Sequence, residues 1–339
     1  MTLHPPESPM PSPSSRLSRR GTLGILAALV TAHGVPARAA PWPDRPVSLV
    51  VPFAAGGGTD TIARLIAQKL QAPLGVAVVI DNRPGANGLI AARSVLQQPA
   101  DGHTLMFGSN STHVIAALAS RQPVAPGKSM QDSFSIVSVL ANAPLVLAVR
   151  AASAAQDLPD FLRRAKAGRL SYGSFGAGSS AHVMGETLAE SAGVELLHVP
   201  YKGSAPALTD LLGGQVDAVF LTVAAIEGMV ASGAVRPLAV TGERRVRSLP
   251  SVPTFEELGV RDMGNAGWFA VFAANGTPAP AITALAKALR DIVAQPEVQA
   301  RMVALGLEPV LSTPEEAAGI WRRSLSRAAP IVRRANIVL

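Results

Sequence analysis

Val47-Ser-Leu-Val-Val-Pro-Phe53 is a short β-branched apolar run, and it predicts a buried strand. A glycine-rich turn, Ala54-Ala-Gly-Gly-Gly-Thr59-Asp60, follows it and ends in residues suited to a helix N-terminus. Ile62, Leu65, Ile66 and Leu70 then recur on one helical stripe. The same unit repeats down the chain. Val76 to Ile80 predicts a strand, Asn82-Arg-Pro-Gly-Ala-Asn-Gly88 its loop, and Leu89 to Leu96 a helix. His103 to Gly108 predicts a third strand, with a polar loop Ser109-Asn-Ser-Thr-His113 after it. Phe134 to Val149 holds two apolar runs broken at Asn142-Ala-Pro144.

A second set of units follows that break. Asp157 to Ala167 and Ala181 to Ser191 carry helical spacing, and Ser204 caps a further helix with Pro206 in its first turn. Leu170 to Gly173, Leu196 to Pro200, Val216 to Val223 and Val235 to Thr241 predict strands. A tail gives one more strand, Trp268 to Ala273, and three helices over Pro280 to Ala294, Pro296 to Leu305 and Pro314 to Asn336. Strands that alternate with helices predict an α/β fold with mostly parallel sheets. Ligands bind such sheets at the carboxyl ends of the strands. The glycine-rich and polar loops occupy those positions in two groups, one before about residue 143 and one after. A chain that builds one domain, crosses to a second and returns would form a two-lobed clamshell with two crossings.

The front of the chain reads as an address. Residues 1–20 are rich in Pro and Ser and end in Arg19-Arg20; a mildly apolar stretch from Gly21 to Val35 follows. Pro36-Ala-Arg-Ala-Ala40 then supplies small residues at cleavage spacing. This three-part pattern predicts an export signal over 1–40, cleaved near Ala39-Ala40, and the paired arginines suggest the twin-arginine route, with Sec export the alternative. The apolar segment is shorter than the roughly 20 residues a membrane span requires.

Composition narrows the chemistry. Cysteine is absent, which excludes disulfides, thiolate metal sites and a cysteine nucleophile. The net charge is +7, and residues 1–40 contribute three units of it. The remaining arginines are scattered rather than clustered, and aromatics are only 4%, so nucleic acid is not an expected partner.

The loops offer backbone N–H groups more than charged side chains. A helix N-terminus preceded by glycine is an anion site, because its free N–H groups and dipole face the ligand and glycine lets the backbone come close. The 56–60 and 176–180 loops both have this character, one in each half of the chain. Opposed across a cleft, they would hold a small carboxylate. An ordinary tight turn is the competing reading of each loop. Neither matches a phosphate loop or a dinucleotide fingerprint. Catalytic signatures are thin: no nucleophile elbow and no His-Glu-x-x-His occur. His182 and Glu186 lie four apart on one helix, so an acid–base pair is the alternative to a helix-face contact.

The chain from Pro41 onward resembles the solute-binding proteins of the tripartite tricarboxylate transporter system, the Bug family of periplasmic receptors. The segments that carry the resemblance run the length of it. They include Trp42-Pro-Asp-Arg-Pro46, Pro52-Phe-x-x-Gly-Gly-x-x-Asp60-x-x-Ala-Arg64 and Asn82-Arg-Pro-Gly-Ala-Asn-Gly88. Tyr172-x-Ser-x-Gly-x-Gly-Ser179-x-x-His182, His198-Val-Pro-Tyr-Lys-Gly203, Ala207 to Asp217, Pro250-x-Val-Pro-Thr254 and Gly276-Thr-Pro278 continue it. The resemblance implies a two-lobed, type II-like periplasmic binding protein, each lobe a mixed or parallel sheet flanked by helices. Lobe 1 would comprise 41–143 plus 248–339 and lobe 2 residues 144–247, with hinge crossings near 142–144 and 246–250. It implies capture of a small organic acid without any cofactor, by a monomer that serves membrane transporter subunits or a sensor. The first-lobe grip would come from Phe53, Gly57, Gly58, Asp60, Asn87 and Ser109. The second-lobe grip would come from Ser174, Gly178, Ser179 and His182, with Lys202 a weaker candidate. Thr222 stands where relatives often carry Asp, a change that would favour a simple acid over an amine-bearing one.

Overall fold

Proline and glycine set where the elements start and stop. A computed structural model describes residues 42–264 and 267–339; the export signal expected over 1–40 lies outside the described residues. Strand β1 (Val47–Val51) leads into helix α1 (Gly58–Leu74), which buries Ile62, Ile66 and Leu70. That helix stops just past Pro73, where Gly75 turns left-handed at φ 69° and its N–H bonds the Gln71 carbonyl. Strand β2 (Val78–Asn82), helix α2 (Leu89–Leu96) and strand β3 (Thr104–Ser109) complete the first run. The expected polar loop after β3 is instead a buried π-helical turn, Ser111–Ile115, running into α3 (Ala116–Ala119). Tertiary contacts hold it: the Thr112 hydroxyl bonds the backbone of Ser109, and His113 stacks on Phe272 at 3.6 Å between ring centres.

Helix α4 (Met130–Ser133) precedes β4 (Phe134–Ala143), and Pro144 separates that strand from β5 (Leu145–Arg150). The second run is α5 (Leu158–Ala167), β6 (Leu170–Ser174), α6 (Ser180–Ala192), β7 (Leu196–Pro200), α7 (Ser204–Leu212), β8 (Ala218–Thr222), α8 (Val223–Ala231) and β9 (Val235–Val240). The tail adds β10 (Gly267–Ala274), α9 (Ala279–Val293), α10 (Pro296–Ala304), β11 (Glu308–Pro309) and α11 (Pro314–Arg334). Each of the three tail helices has proline in its first turn, where the missing N–H costs nothing.

The two runs form two sheets with the same plan. The first has the order β11-β4-β10-β3-β1-β2 and the second β7-β6-β8-β5-β9. In each, three strands pair in parallel: β2-β1-β3 and β7-β6-β8. Each then receives an antiparallel strand that has just arrived from the other sheet, β10 in the first and β5 in the second. The sheets are therefore mixed rather than mostly parallel, because the two crossing strands enter without a crossover helix. Helices cover both faces. Leu49, Val51, Ile62 and Ile66 pack with Leu289 and Ile292 on one side of the first sheet. Among the described residues no helix is long and apolar enough to cross a membrane.

The first change of sheet occurs at Pro144, within the expected 142–144. The second comes later than the expected 246–250. Val240 bonds Pro253 and Phe255, Gly242 bonds Met263, and Phe255 stacks on Phe220 of β8 at 5.7 Å. Residues up to about Met263 thus stay with the second sheet, and the chain returns only at β10. Phe255 and Met263 stand alone in a non-periodic stretch, so the sequence carried no sign of the sheet they cover.

Candidate functional site

The carboxyl ends of the strands converge on a cavity of about 60 Å3. The first sheet contributes Phe53 to Ala55 and Gly57 to Thr59 after β1, and Ser109 to Ser111 from the end of β3. The second contributes Phe175 and Ser180 after β6, Lys202 to Pro206 after β7, and Thr222 at the end of β8. Ala143, Leu145 and Gly267 to Phe269, at the crossings, close its floor. The volume accommodates on the order of four waters, so a bound molecule displaces water in a close-fitting space.

Three helices begin at this cavity without a capping side chain: α1 after Gly57, α7 after Gly203, and α8 after Thr222. Their first N–H groups and positive dipole ends favour an anion. Ser109 Oγ, Asn110 Oδ1 and Thr222 Oγ1 line the same space, buried and without a hydrogen-bond partner in the protein. Each such orphan costs about 1–3 kcal/mol unless a bound group satisfies it. No Asp or Glu lines the cavity among the described residues, and Lys202 is the one charged lining residue. Phe53 and Phe175 meet edge to face at 6.2 Å, joining the two halves of the wall.

Of the residues expected from the sequence, Phe53, Gly57, Gly58, Ser109 and Thr222 line the cavity, and Lys202 joins them. Asp60, Asn87, Ser174, Gly178, Ser179 and His182 do not; each has a bond of its own. Asp60 accepts from Gly56 N–H at 2.9 Å, Arg64 Nε at 2.8 Å and Asn82 Nδ2 at 2.9 Å. Burial opposes its ionisation, but the bonds from Arg64, Gly56 and Asn82 outweigh that and hold its carboxyl below the usual range. It thus shapes the Gly56–Gly58 loop and does not line the cavity itself.

The 176–180 loop is likewise committed. Ser179 Oγ caps α6 by accepting from His182 N–H at 3.2 Å, and Gly178 N–H donates to His182 Nδ1 at 3.1 Å. Ser180 N–H donates to Ser111 Oγ at 3.0 Å, and the two hydroxyls lie 2.9 Å apart. Asn87 Nδ2 donates to the Gly178 carbonyl. This helix terminus therefore clasps the first lobe, where a ligand-binding turn opposite 56–60 was expected. Ser174 bonds His198 Nε2 at 2.7 Å, and His198 stacks on His182 at 3.8 Å. Burial lowers His182 to about 4; burial and the neighbouring His182 lower His198 to about 3. Glu186 accepts from the Tyr172 hydroxyl at 2.9 Å and lies 3.6 Å from His182 Nε2. Neither His182 nor Glu186 reaches the cavity.

Asn110, Ser111, Phe175, Ser180 and Trp268 line the cavity without having been expected there. The Ser109–His113 stretch is polar in sequence, and burial of that polarity puts Ser109, Asn110 and Ser111 in the cavity wall. Trp268 reads as core, and at 2% exposed it is, while one face of it borders the cavity.

Residues 62–337 match the family described as tripartite tricarboxylate transporter family receptor. Protein BugT of Bordetella pertussis is 34% identical over 321 residues, covering 94% of this chain and 98% of that one. Among solved structures, Rhodopseudomonas palustris Rpa4515 with adipate superposes with a TM-score of 0.83 at 35% identity, covering 88% of this chain and 99% of that one. MatC from the same organism, with bound malate, gives 0.77 at 31% identity, covering 86% and 100%. With the family match spanning most of the chain and two-lobed receptors superposing along its length, the protein belongs to the tripartite tricarboxylate transporter receptors, the Bug family of solute-binding proteins.

Proposed function

We propose that the protein captures a small organic acid that carries no amine, in the periplasm, by closing two lobes on it as a monomer. It then passes the acid to the membrane subunits of a tripartite tricarboxylate-type transporter. The observation that carries the ligand class is the cavity wall: three uncapped helix N-termini, three orphaned polar side chains and Lys202, with no lining carboxylate. The helix N–H groups, the Ser109 and Thr222 hydroxyls and Lys202 donate to a carboxylate, whereas an ammonium would enter without a counter-charge. Adipate and malate in the superposed receptors support the same class. Gly58, Ser109 and Asn110 would hold the acid from lobe 1 and Thr222 with the start of α7 from lobe 2. The lobes comprise 42–143 plus 267–339 and 144–264, and closure pivots on Pro144.

Thermal denaturation with a panel of acids tests this. A ligand at 100 times its Kd adds about 2.7 kcal/mol, which raises Tm by several degrees. Adipate, malate or a related acid should do so and be recovered unchanged, while aspartate should not. Stabilisation by amino acids alone, or conversion of the acid, would overturn the reading.

A further inference from the structure

We propose that a groove beside the chain crossings is a second anion site, separate from the interlobe cavity, for a small oxyanion carrying two or more charges. The groove has a volume of about 490 Å3, against about 60 Å3 for the cavity. Arg244 and Arg247, on the segment after β9, form one side, and Arg323 and Arg327, one turn apart on α11, form the other. Asn142 and Pro144 of the first crossing also line the groove.

The four guanidiniums line the same concave space, and among the described residues none of them forms an ion pair or a side-chain hydrogen bond. Their neighbour Arg245 behaves differently: it bonds Glu257 at 2.9 Å and the Pro250 carbonyl at 3.2 Å. Glu243 and Glu308 also border the groove, so the lining carries four positive groups against two negative ones. Arg323 and Arg327 sit at i and i+4, where like charges destabilise a helix. An anion between the two sides relieves that repulsion and meets planar forks suited to bidentate oxygen pairs. Carboxylates and phosphates share this geometry, but a single charge would leave half the forks unused.

The groove is also tied to the lobe geometry. Arg244 and Arg247 belong to the stretch that stays with the second sheet, and α11 follows β11 of the first. Trp268 stands in the wall of both the groove and the interlobe cavity, and its Nε1 donates to Ser324 Oγ of α11 at 3.0 Å. An anion that bridges the two sides therefore binds one lobe angle better than others, and by linkage affects acid binding reciprocally.

Calorimetric titration of the mature protein with inorganic pyrophosphate at low salt tests the site. Saturable one-to-one binding is expected. Arg323→Ala with Arg327→Ala should weaken it about tenfold or more, while Arg322→Ala with Arg333→Ala, an equal charge loss elsewhere on α11, should change it less than about threefold. Lys202→Ala, in the interlobe cavity, should leave pyrophosphate binding intact. Absence of saturable binding up to millimolar pyrophosphate, or equal loss in both arginine pairs, would overturn the site. Loss only in Lys202→Ala would place the anion in the acid cavity and overturn it as well. None of these outcomes depends on whether adipate or malate binds.

Discussion

His113 is the side chain whose protonation the fold resists most plainly. It is fully buried, faces Phe134, Phe272 and Trp321, and burial lowers it to about 3. The unfolded imidazole titrates near its ordinary 6.5. Below that pH the unfolded chain binds a proton that the folded one refuses, so stability is present above about 6.5 and drains away as pH falls towards about 3. His182 and His198 act in the same direction. Between about pH 7.5 and about pH 5, His113 alone should cost about 2 kcal/mol. Urea unfolding at the two values checks it: His113→Gln should flatten the pH dependence by about one proton, even though the variant starts less stable. At the cavity, Thr222→Asp puts a carboxylate beside the helix starts and should weaken acid binding at least about tenfold, because a neutral hydroxyl donor is replaced by a charge that repels the acid. Calorimetry with the best acid from the thermal panel reads it. Gly57 and Gly58 line the cavity where their sequence pattern points, because glycine before a helix start has a local meaning, and Ser109 lines it where the family resemblance points. Asp60 and His182 share that local setting but do not line the cavity: they bond Asn82 and Gly178, and no spacing rule reports those partners.

At the scale of elements, caps and cavity residues separate cleanly. Ser179 caps α6 from outside the cavity, so Ser179→Ala should lower stability by about 1 kcal/mol in chemical denaturation with little change in acid affinity. Asn110→Ala should show the reverse, a weaker acid complex with an unfolding midpoint nearly unchanged, since its Oδ1 has no protein partner to lose. The apolar periodicities placed most strands and helices to within a few residues. Helix α8 was missed because Val223 continues the apolar run of β8, and nothing local marks where a strand ends and an equally apolar helix begins. The π-helical turn at Ser111–Ile115 was read as a loop because its polar residues look exposed until Phe272 and Trp321 cover them.

At the scale of the molecule, the two halves already touch. A Cβ added at Gly58 would lie 2.9 Å from Thr222 Oγ1 and 3.6 Å from Ala224 Cβ. Gly58→Ala should therefore hold the lobes slightly apart and weaken acid binding about tenfold while Tm of the ligand-free protein stays close to wild type. Removing the clasp, with Asn87→Ala and Ser111→Ala together, should shift the ligand-free population towards an open form. Small-angle scattering would register that as a larger radius of gyration that contracts again on adding the acid. An unchanged radius in the double variant would mean that the clasp does not hold the lobes.

Taken alone, the chain determined its alternating α/β units, its break at Pro144 and the glycine-rich starts of its helices, because period, proline and glycine act within a few residues of where they stand. It also supplied glycine-preceded helix starts with many N–H groups and few charged side chains, the loop chemistry that leads to the expectation of a small acid. Tertiary structure alone decided that α6 clasps the other lobe, that α7 and α8 join α1 around the cavity, and that residues up to Met263 belong to the second sheet. Those outcomes depend on pairings between residues remote in sequence, such as Asn87 with Gly178, Ser111 with Ser180, Gly58 with Thr222 and Phe220 with Phe255. Contact across such distances is set by the packing of whole sheets, and local sequence has no means of recording it.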